Sequence, residues 1–278
     1  MLVKKVEESS EKYHGSNPIS RSKLFRMVKN GQVCPQNYKY FLENPQEDTD
    51  ALRFGRAFHK AVLEPHDFEN EFAVCPVLDR RTKEGKLAWS EFVEKCGTRE
   101  VITFETYTHI VGMVNAIKND PYASALINGE VEKSYYWTDE LTGIDVKCRP
   151  DVRIMLGDRP LLVDLKSTND ASTDNFSKEC IKFGYDFQSA FYKEGADAFY
   201  STEHGFCFIA VEKTPPYAVN VLEADELFIA RGRDLYRRLL GELNYCQTTN
   251  DWYGYEGSRD IGGINKLTLP AYLLKDFE

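Results

Sequence analysis

The stretch from residue 130 to residue 168 constrains the fold most, because it combines runs of strand length with intervening turns. The runs VEKSYYWTD, IDVKCRPDVRIM and LLVDLKST are separated by the turn sequences LTG and GDRP. β-branched and aromatic residues favour strands, whereas glycine and proline favour turns. We therefore predict a series of short strands here, and the fold of this chain must accommodate the sheet that they form.

Helical patterns lie on both sides of these strands. Ser20 suits an N-cap and Gly31 suits a helix stop, so we predict a helix over 17–30. A second predicted helix, over 50–63, is ended by Pro65. Further helices are predicted near 84–96, 105–118, 173–182, 185–200 and 224–245, with strands at 206–212 and 217–223. This order predicts an α/β fold in which a central mixed sheet is flanked by helices, with a helical N-terminal elaboration.

The composition is that of a folded, acidic protein. The 278 residues are 42% hydrophobic, a composition that excludes disordered and fibrous classes. The 35 Lys plus Arg against 44 Asp plus Glu give a net charge of −9. The acidity argues against a general polyanion binder, unless bound cations change the local sign. Because no linker or repeat is visible, we predict one domain over 1–278, with a mainly helical part (1–128), a catalytic part (129–245) and a tail (246–278).

Nothing in the sequence indicates a membrane or a secreted protein. No run approaches about 18 consecutive apolar residues, and the N-terminus has no apolar segment of the signal-peptide kind. The 7 cysteines are scattered without a C-x-x-C pair, so we interpret them as reduced thiols. We expect a cytoplasmic location.

Three residues of the strand region point to chemistry. Side chains alternate along a strand, so Asp164 and Lys166 share one face of LLVDLKS. Asp151, on the preceding predicted strand, is expected to reach the same place. Adjacent carboxylates repel unless a cation lies between them, and hard cations such as Mg²⁺ select oxygen ligands. A divalent metal site follows, beside a lysine able to orient water and neutralise a phosphorane-like transition state. The alternative interpretation is a surface ion pair at a sheet edge.

At these residues the sequence resembles the PD-(D/E)xK nuclease superfamily. Pro150-Asp151 matches the PD element, and Asp164-Leu165-Lys166 matches the D-x-K element. GRAFH, which ends at His59, resembles the G-x-x-x-H element of the RecB-like branch, and QSAFY (188–192) resembles its Q-x-x-x-Y element. Each motif alone is short and common, so the argument depends on all of them occurring in the expected order and on the expected secondary structure.

Over roughly residues 14–245 the chain most resembles the RecE (exodeoxyribonuclease VIII) type of phage and prophage recombination nuclease, in which a short helix of the "ISxS-L" kind precedes the histidine helix. The resemblance implies a metal-dependent exonuclease that degrades one strand of double-stranded DNA from its 5′ end. It also implies a ring-shaped homo-oligomer that hands a 3′ overhang to a single-strand annealing protein of the RecT kind.

The same resemblance implies a role for each matching residue. His59, Asp151, Asp164 and the Leu165 carbonyl would bind the metal, Lys166 would serve the attacking water, Gln188 would position Lys166 or the scissile phosphate, and Tyr192 would contact DNA. We expect Mg²⁺, with Mn²⁺ able to substitute. Cys246 stands alone late in the sequence, so we expect no iron–sulfur cluster, and no Walker motif indicates ATP use.

Alternatives remain open at this point. A RecB-like endonuclease or a repair nuclease of other polarity would share these motifs, and a non-catalytic DNA-binding protein could retain the fold. The tail over 252–278 is interpreted as an oligomer contact or as a final strand and loop. Two basic clusters are candidates for lining a DNA channel or for solvated, ion-paired faces: Arg80, Arg81, Lys83 and Lys86; and Arg231, Arg233, Arg237 and Arg238.

Overall fold

The computed structural model describes residues 1–44, 48–79, 81–255 and 267–269. The helices are α1 (Ser10–Gly15), α2 (Arg21–Phe25), α3 (Pro35–Glu43), α4 (Asp50–Leu63), α5 (Phe68–Glu71), α6 (Lys83–Cys96), α7 (Phe104–Asn119), α8 (Pro121–Leu126), α9 (Thr173–Phe183), α10 (Tyr185–Tyr200) and α11 (Glu226–Thr249). The strands are β1 (Val3–Val6), β2 (Ile19–Ser20), β3 (Val28–Lys29), β4 (Gln32–Val33), β5 (Phe72–Cys75), β6 (Glu100–Thr103), β7 (Glu130–Val131), β8 (Ser134–Thr138), β9 (Asp145–Cys148), β10 (Val152–Leu156), β11 (Arg159–Thr168), β12 (Gly205–Glu212) and β13 (Val219–Glu223).

Within these residues the central sheet is five-stranded and mixed, with the order β13-β12-β11-β10-β7. β11 and β12 run parallel, joined by the crossover through α9 and α10, and the other pairings are antiparallel. β11 and β12 are buried on both faces: Leu162 and Phe208 lie in a cluster with α10 and α11, whereas Val163 and Ile209 lie in a cluster with α4 and α7. The sheet therefore separates two hydrophobic cores.

The predicted strand IDVKCRPDVRIM is in fact two strands in different sheets. β9 pairs with β8 and β2 in a four-stranded sheet, whereas β10 pairs with β11 and β7. Residues 149–151 cross between the sheets, and Pro150, which has no N–H to donate to a ladder, lies in the crossing. Tyr135 and Trp137 on β8 are buried in the core, whereas Tyr136 between them is half-buried.

The helix predicted over 17–30 is wrong in extent. Ser20 does cap a helix, accepting a hydrogen bond of 3.4 Å from the Lys23 amide, but that helix, α2, ends at Phe25. β3 and β4 then form a hairpin whose turn is Asn30-Gly31, with φ of 52° and 77°. Asn-Gly is a preferred pair for such a left-handed turn. Gly31 is thus a turn residue and not a helix stop.

The other predicted helices are confirmed within a few residues. The helix over 50–63 is α4, and those expected near 84, 105, 173, 185 and 224 are α6, α7, α9, α10 and α11. No helix in the described part of the chain is long and apolar enough to cross a membrane. The two interpretations of the tail fall mostly on 256–266 and 270–278, outside the described residues.

Gly232 tests the close packing of α11 on α10. A Cβ atom there would collide with the backbone carbonyl of Asp186, whereas a Cβ at Gly241 on the same helix would meet nothing within 4 Å. We expect Gly232→Ala to lower the free energy of unfolding by about 1–3 kcal/mol, because backbone must move. Gly241→Ala, the matched control, should raise it by about 0.5–1 kcal/mol through helix propensity. Urea unfolding followed by circular dichroism measures both, and equal effects would contradict the packing.

Candidate active site

Strand β11 places Asp164 and Lys166 on one face, as the alternation predicts. Asp164 is 1% exposed, and Lys166 Nζ contacts its Oδ2 atom. The side chain of Leu165 points the other way, into the hydrophobic cluster on the α4 side. Because β11 is an inner strand and the pair is buried, a surface ion pair at a sheet edge is not what the structure contains.

Asp151 joins this pair from the crossing between the two sheets. Its Oδ2 atom accepts a hydrogen bond of 2.7 Å from the Leu165 amide. The pairing of β10 with β11 begins at Val152, opposite Val163, so the carboxylate takes the place of a strand partner beyond that point. Asp151 is thereby fixed against the backbone between Asp164 and Lys166.

His59 reaches Asp151 from helix α4. Its Nε2 atom lies 3.1 Å from Asp151 Oδ2, and its Nδ1 atom lies 2.8 Å from the Gly55 carbonyl oxygen. A protonated Nδ1 donates to that carbonyl, which leaves Nε2 directed at the carboxylate. The four-residue spacing of the G-x-x-x-H motif thus has a physical meaning, because the carbonyl one helical turn earlier orients the ring.

Gln188 and Tyr192 come from helix α10. Gln188 Nε2 donates to Asp164 Oδ1, so in this arrangement the glutamine holds a carboxylate and does not contact Lys166. Tyr192 lies one turn further along, and both line a cavity of about 250 Å³. His59, Asp151, Asp164 and Lys166 line the same cavity. Leu165 is not among its lining residues, so metal binding by the Leu165 carbonyl stays a prediction.

The charged groups of this cavity compensate one another. Burial, with the nearby Asp151 carboxylate, raises the pKa of Asp164 to about 6 although Lys166 opposes the shift. Burial would also raise the pKa of Asp151, but His59 outweighs it and the pKa is lowered. Burial would lower the pKa values of the two cations, but the neighbouring carboxylates outweigh it. Asp151 raises the pKa of His59 to about 9, and Asp164 raises the pKa of Lys166. Two buried carboxylates are thus neutralised by two half-buried cations.

The donor set fits a hard divalent cation in kind. One imidazole nitrogen and two carboxylates are suitable ligands for Mg²⁺ or Mn²⁺. As they stand, however, no three His, Cys, Asp or Glu side chains in the described part of the chain are arranged to hold a metal ion. Both oxygens of Asp164 accept hydrogen bonds, one from Lys166 and one from Gln188. A bound cation would take over the neutralising role of Lys166, and His59, Asp151 and Asp164 would hold it.

Several residues of the cavity were missed by sequence reasoning. The ISRS segment noted in the resemblance had no assigned role, yet it contributes to the cavity wall together with residues of α1. The Tyr185 ring was also unassigned, and it lies 4.5 Å from Lys166 Nζ. The further lining residues are Tyr13, His14, Ser20, Arg21 and Ser22. Nothing in the local pattern places these residues beside β11.

Glu132 is a further residue that the sequence did not single out. It has a positive φ of 53°, uncommon for glutamate, and its amide donates to the Asp151 carbonyl at 3.0 Å. Burial and the Asp151 carboxylate raise the pKa of Glu132 to about 7. Arg149 Nε lies 2.5 Å from Glu132 Oε2. The pair therefore flanks the turn that presents Asp151.

Two of the four arginines in the basic cluster on α11 are engaged in ion pairs. Arg231 contacts the buried carboxylate of Asp186, and Arg237 contacts Asp139 and Glu194. These two arginines join α11 to neighbouring elements, as the ion-paired interpretation expects. In the other cluster Arg80 lies outside the described residues, and Arg81 Nε lies 3.0 Å from Asp79 Oδ1.

Metal binding at this cavity is testable without any substrate. A ligand that binds only the native state stabilises it by about 2.7 kcal/mol at 100 times its Kd, roughly 5 °C in Tm. We expect Mn²⁺ or Mg²⁺ to raise the Tm of the wild-type protein by roughly 5 °C. The same ions should raise the Tm of Asp164→Ala far less. The matched control is Asp158→Ala, in the exposed turn before β11, which should keep the full shift. An equal shift in all three proteins, measured by differential scanning fluorimetry, would contradict the assignment.

A solved structure shares this fold. The chain superposes on a protein of Eubacterium rectale described as a "putative exonuclease" with a TM-score of 0.61 and 14% sequence identity, over 97% of this chain and 98% of that chain. At this identity the likeness shows a common fold alone. The structure of SSO0001 gives a TM-score of 0.29 at 14% identity, over 66% of this chain and 86% of that chain, and supports no argument. Among curated proteins no sequence matches this chain.

The family comparison covers most of the chain. Residues 20–261 match the family described as "PDDEXK-like domain of unknown function (DUF3799)". His59, Asp151, Asp164, Lys166 and Gln188 all fall within the matched range. The predicted fold class, a PD-(D/E)xK core with a mixed sheet flanked by helices, is confirmed. This chain belongs to the PDDEXK-like family DUF3799 and, through it, to the PD-(D/E)xK nuclease superfamily.

Proposed function

We propose that this protein is a metal-dependent exodeoxyribonuclease that hydrolyses phosphodiester bonds of linear double-stranded DNA. The observation that supports the proposal best is the convergence of His59, Asp151, Asp164, Lys166 and Gln188 on one cavity in a chain of the PDDEXK-like family. These residues come from four separate parts of the chain, namely α4, the crossing before β10, β11 and α10. An imidazole and two carboxylates beside the Lys166 ammonium form an arrangement suited to metal-assisted hydrolysis of phosphodiesters.

In this proposal each side chain has a definite task. A divalent cation, when bound, supplies Lewis-acid polarisation of the scissile phosphate and lowers the pKa of a water. Lys166, held against Asp164 and the Tyr185 ring, orients the attacking water and neutralises charge that develops on the phosphoryl oxygens. Gln188 fixes the Asp164 carboxylate, and Tyr192 contacts the DNA strand in the cavity.

The polarity and the biological role in the proposal come from the resemblance to the RecE type. We propose digestion of the strand that carries the 5′ end, which leaves a 3′ overhang for recombination by strand annealing. The description of the Eubacterium rectale structure as a "putative exonuclease" agrees with the exonuclease part of this proposal. Mg²⁺ is the proposed cofactor, and Mn²⁺ is expected to substitute because the donor set includes an imidazole.

The proposed activity predicts metal-dependent loss of one strand from linear duplex DNA. DNA labelled separately at its 5′ and 3′ ends should lose the 5′-labelled strand with Mg²⁺ or Mn²⁺ and remain intact with EDTA. Lys166→Met should lower kcat by about 100-fold or more, because orientation of the attacking water and charge neutralisation are lost. The matched control is Lys182→Met on the exposed face of α9, which should keep wild-type activity.

A circular duplex separates the competing activities in the same assay. An exonuclease leaves the circle intact, so nicking of the circle would move the assignment to an endonuclease. Loss of the 3′-labelled strand would show that digestion starts at the 3′ end, contrary to the proposed polarity. DNA binding without cleavage under any metal would leave a non-catalytic DNA-binding protein as the function.

We also propose that the protein works as a ring-shaped homo-oligomer at double-stranded DNA ends, together with a single-strand annealing protein of the RecT kind. A ring that encircles DNA should dissociate rarely from its substrate. We therefore expect a mass several times the 32.0 kDa of one chain in light scattering. We also expect complete digestion of some DNA molecules while others remain untouched when an excess of unlabelled competitor is added. A monomer that digests all molecules evenly would contradict the ring.

A further inference from the structure

The guanidinium of Arg21 lies in the candidate active site without an acidic partner. Arg21, at the start of α2, lines the same cavity as Asp164 and Lys166. Lys166 contacts Asp164, and His59 lies 3.1 Å from Asp151, but no carboxylate in the described part of the chain comes within 4.0 Å of Arg21. Arg21 is half-buried, and a partly desolvated cation without a counter-ion is costly. Burial accordingly lowers the pKa of Arg21 from its usual value.

Neighbouring groups hold this guanidinium in place. Nη2 donates to the carbonyls of Phe183 (a short contact) and Gly184 (2.8 Å), at the end of α9. The guanidinium carbon lies 5.1 Å from the Phe25 ring centre and 5.8 Å from the Tyr185 ring centre. Lys166 Nζ lies 4.5 Å from the same Tyr185 ring. Arg21 and the lysine of the D-x-K motif are thus arranged around one aromatic side chain.

Arg21 retains hydrogen-bond donors beyond those used for anchoring. Nε is buried and has no hydrogen-bond partner among the described residues, and the hydrogen bonds that Arg21 makes there all come from Nη2. An arginine that is anchored through one nitrogen and keeps donors on the others is preorganised for an anion. Within this cavity the anion of matching chemistry is a phosphate oxygen.

We propose that Arg21 binds a phosphate group of the DNA strand that enters the cavity and so holds that strand against Lys166 and the two carboxylates. This inference rests on the proposed nuclease function and adds to it a substrate-binding residue from the N-terminal segment. It also offers a way for a protein of net charge −9 to hold a polyanion, because the half-buried cation lines the site itself and needs no basic outer surface.

A purely structural role for Arg21 makes a different prediction. Cations near the last carbonyls of a helix stabilise it, so Arg21 could serve only to cap α9. In that case Arg21→Ala lowers Tm and leaves DNA affinity unchanged. If Arg21 binds phosphate, the affinity for DNA falls and its dependence on salt changes as well, because each phosphate contact releases counterions.

The test compares the wild-type protein, Arg21→Ala, Arg21→Lys and Arg26→Ala. Arg26→Ala is the matched control, because it removes the same charge from the exposed end of α2, where Arg26 lies 4.2 Å from the Phe41 ring and does not line the cavity. Affinity for a short linear duplex is measured by fluorescence anisotropy in EDTA over a range of salt concentrations. KM and kcat come from digestion of the same duplex with Mg²⁺, and Tm reports folding.

We expect Arg21→Ala to weaken DNA binding by roughly 10-fold to 100-fold, the size of a lost charge-assisted hydrogen bond. The slope of log K against log salt should fall by about 0.9, and KM should rise more than kcat falls. Arg21→Lys should recover part of the affinity, and Arg26→Ala should match the wild-type protein. Unchanged affinity, salt slope and KM in Arg21→Ala, whatever its Tm, would overturn the inference while leaving the nuclease function intact. A wild-type protein that neither binds nor cleaves DNA would overturn both.

A second measurement identifies the phosphate. Duplexes that carry one uncharged methylphosphonate linkage at successive positions, with and without terminal phosphates, separate internal from terminal contacts. A methylphosphonate at the contacted position should weaken DNA binding by the wild-type protein. It should not weaken binding by Arg21→Ala any further, because that variant already lacks the interaction with this phosphate. Additive losses at every position, and at the terminal phosphates, would show that Arg21 touches no phosphate.

Discussion

The burial of two neighbouring carboxylates is the constraint on which the rest of the site depends. Asp151 and Asp164 lie deep in the protein, where charge is costly unless opposite charge lies beside it. His59 and Lys166 provide that charge, and Gln188 satisfies the remaining oxygen of Asp164. The arrangement is neutral as it stands, and its carboxylates and imidazole are also the ligand types that a divalent cation selects. His59, Asp151 and Asp164 therefore belong both to the set of compensating charges and to the set that would hold a cation.

The architecture delivers these groups from different directions to one point. β11 is buried on both faces, so its alternation sends Asp164 and Lys166 towards α10 while Leu165 packs towards α4. The chain leaves one sheet for the other just before β10, and this crossing turns the Asp151 carboxylate onto the β11 backbone. Such a crossing frees backbone donors that a continuous strand would have used. A regular hairpin at the same sequence would have left Asp151 in the ladder.

The acidity of the chain does not contradict a nucleic-acid substrate. Two arginines of the basic α11 cluster are paired with Asp186, Asp139 and Glu194, so they hold helices together. Inside the cavity, by contrast, Arg21 keeps donors that no described carboxylate takes. Net charge describes the solvated surface and long-range attraction, whereas recognition at an active site depends on a few desolvated groups. In the proposed function, the position of one half-buried cation therefore matters more than the overall balance of charge.

The sequence by itself determined the elements whose signals are local. Helix α4, the alternation along β11 and the spacing of Gln188 and Tyr192 follow from periodicity and capping within a few residues. Metal binding by His59, Asp151 and Asp164 stays a prediction. The division into one domain with a tail stays a prediction. Only the tertiary structure decided that residues 144–155 split between two sheets, that the ISRS segment lines the same cavity as Asp164 and that Gln188 contacts Asp164. The physical reason is that these arrangements depend on contacts between residues far apart in sequence, and local hydrophobic patterns carry no information about which distant surfaces meet.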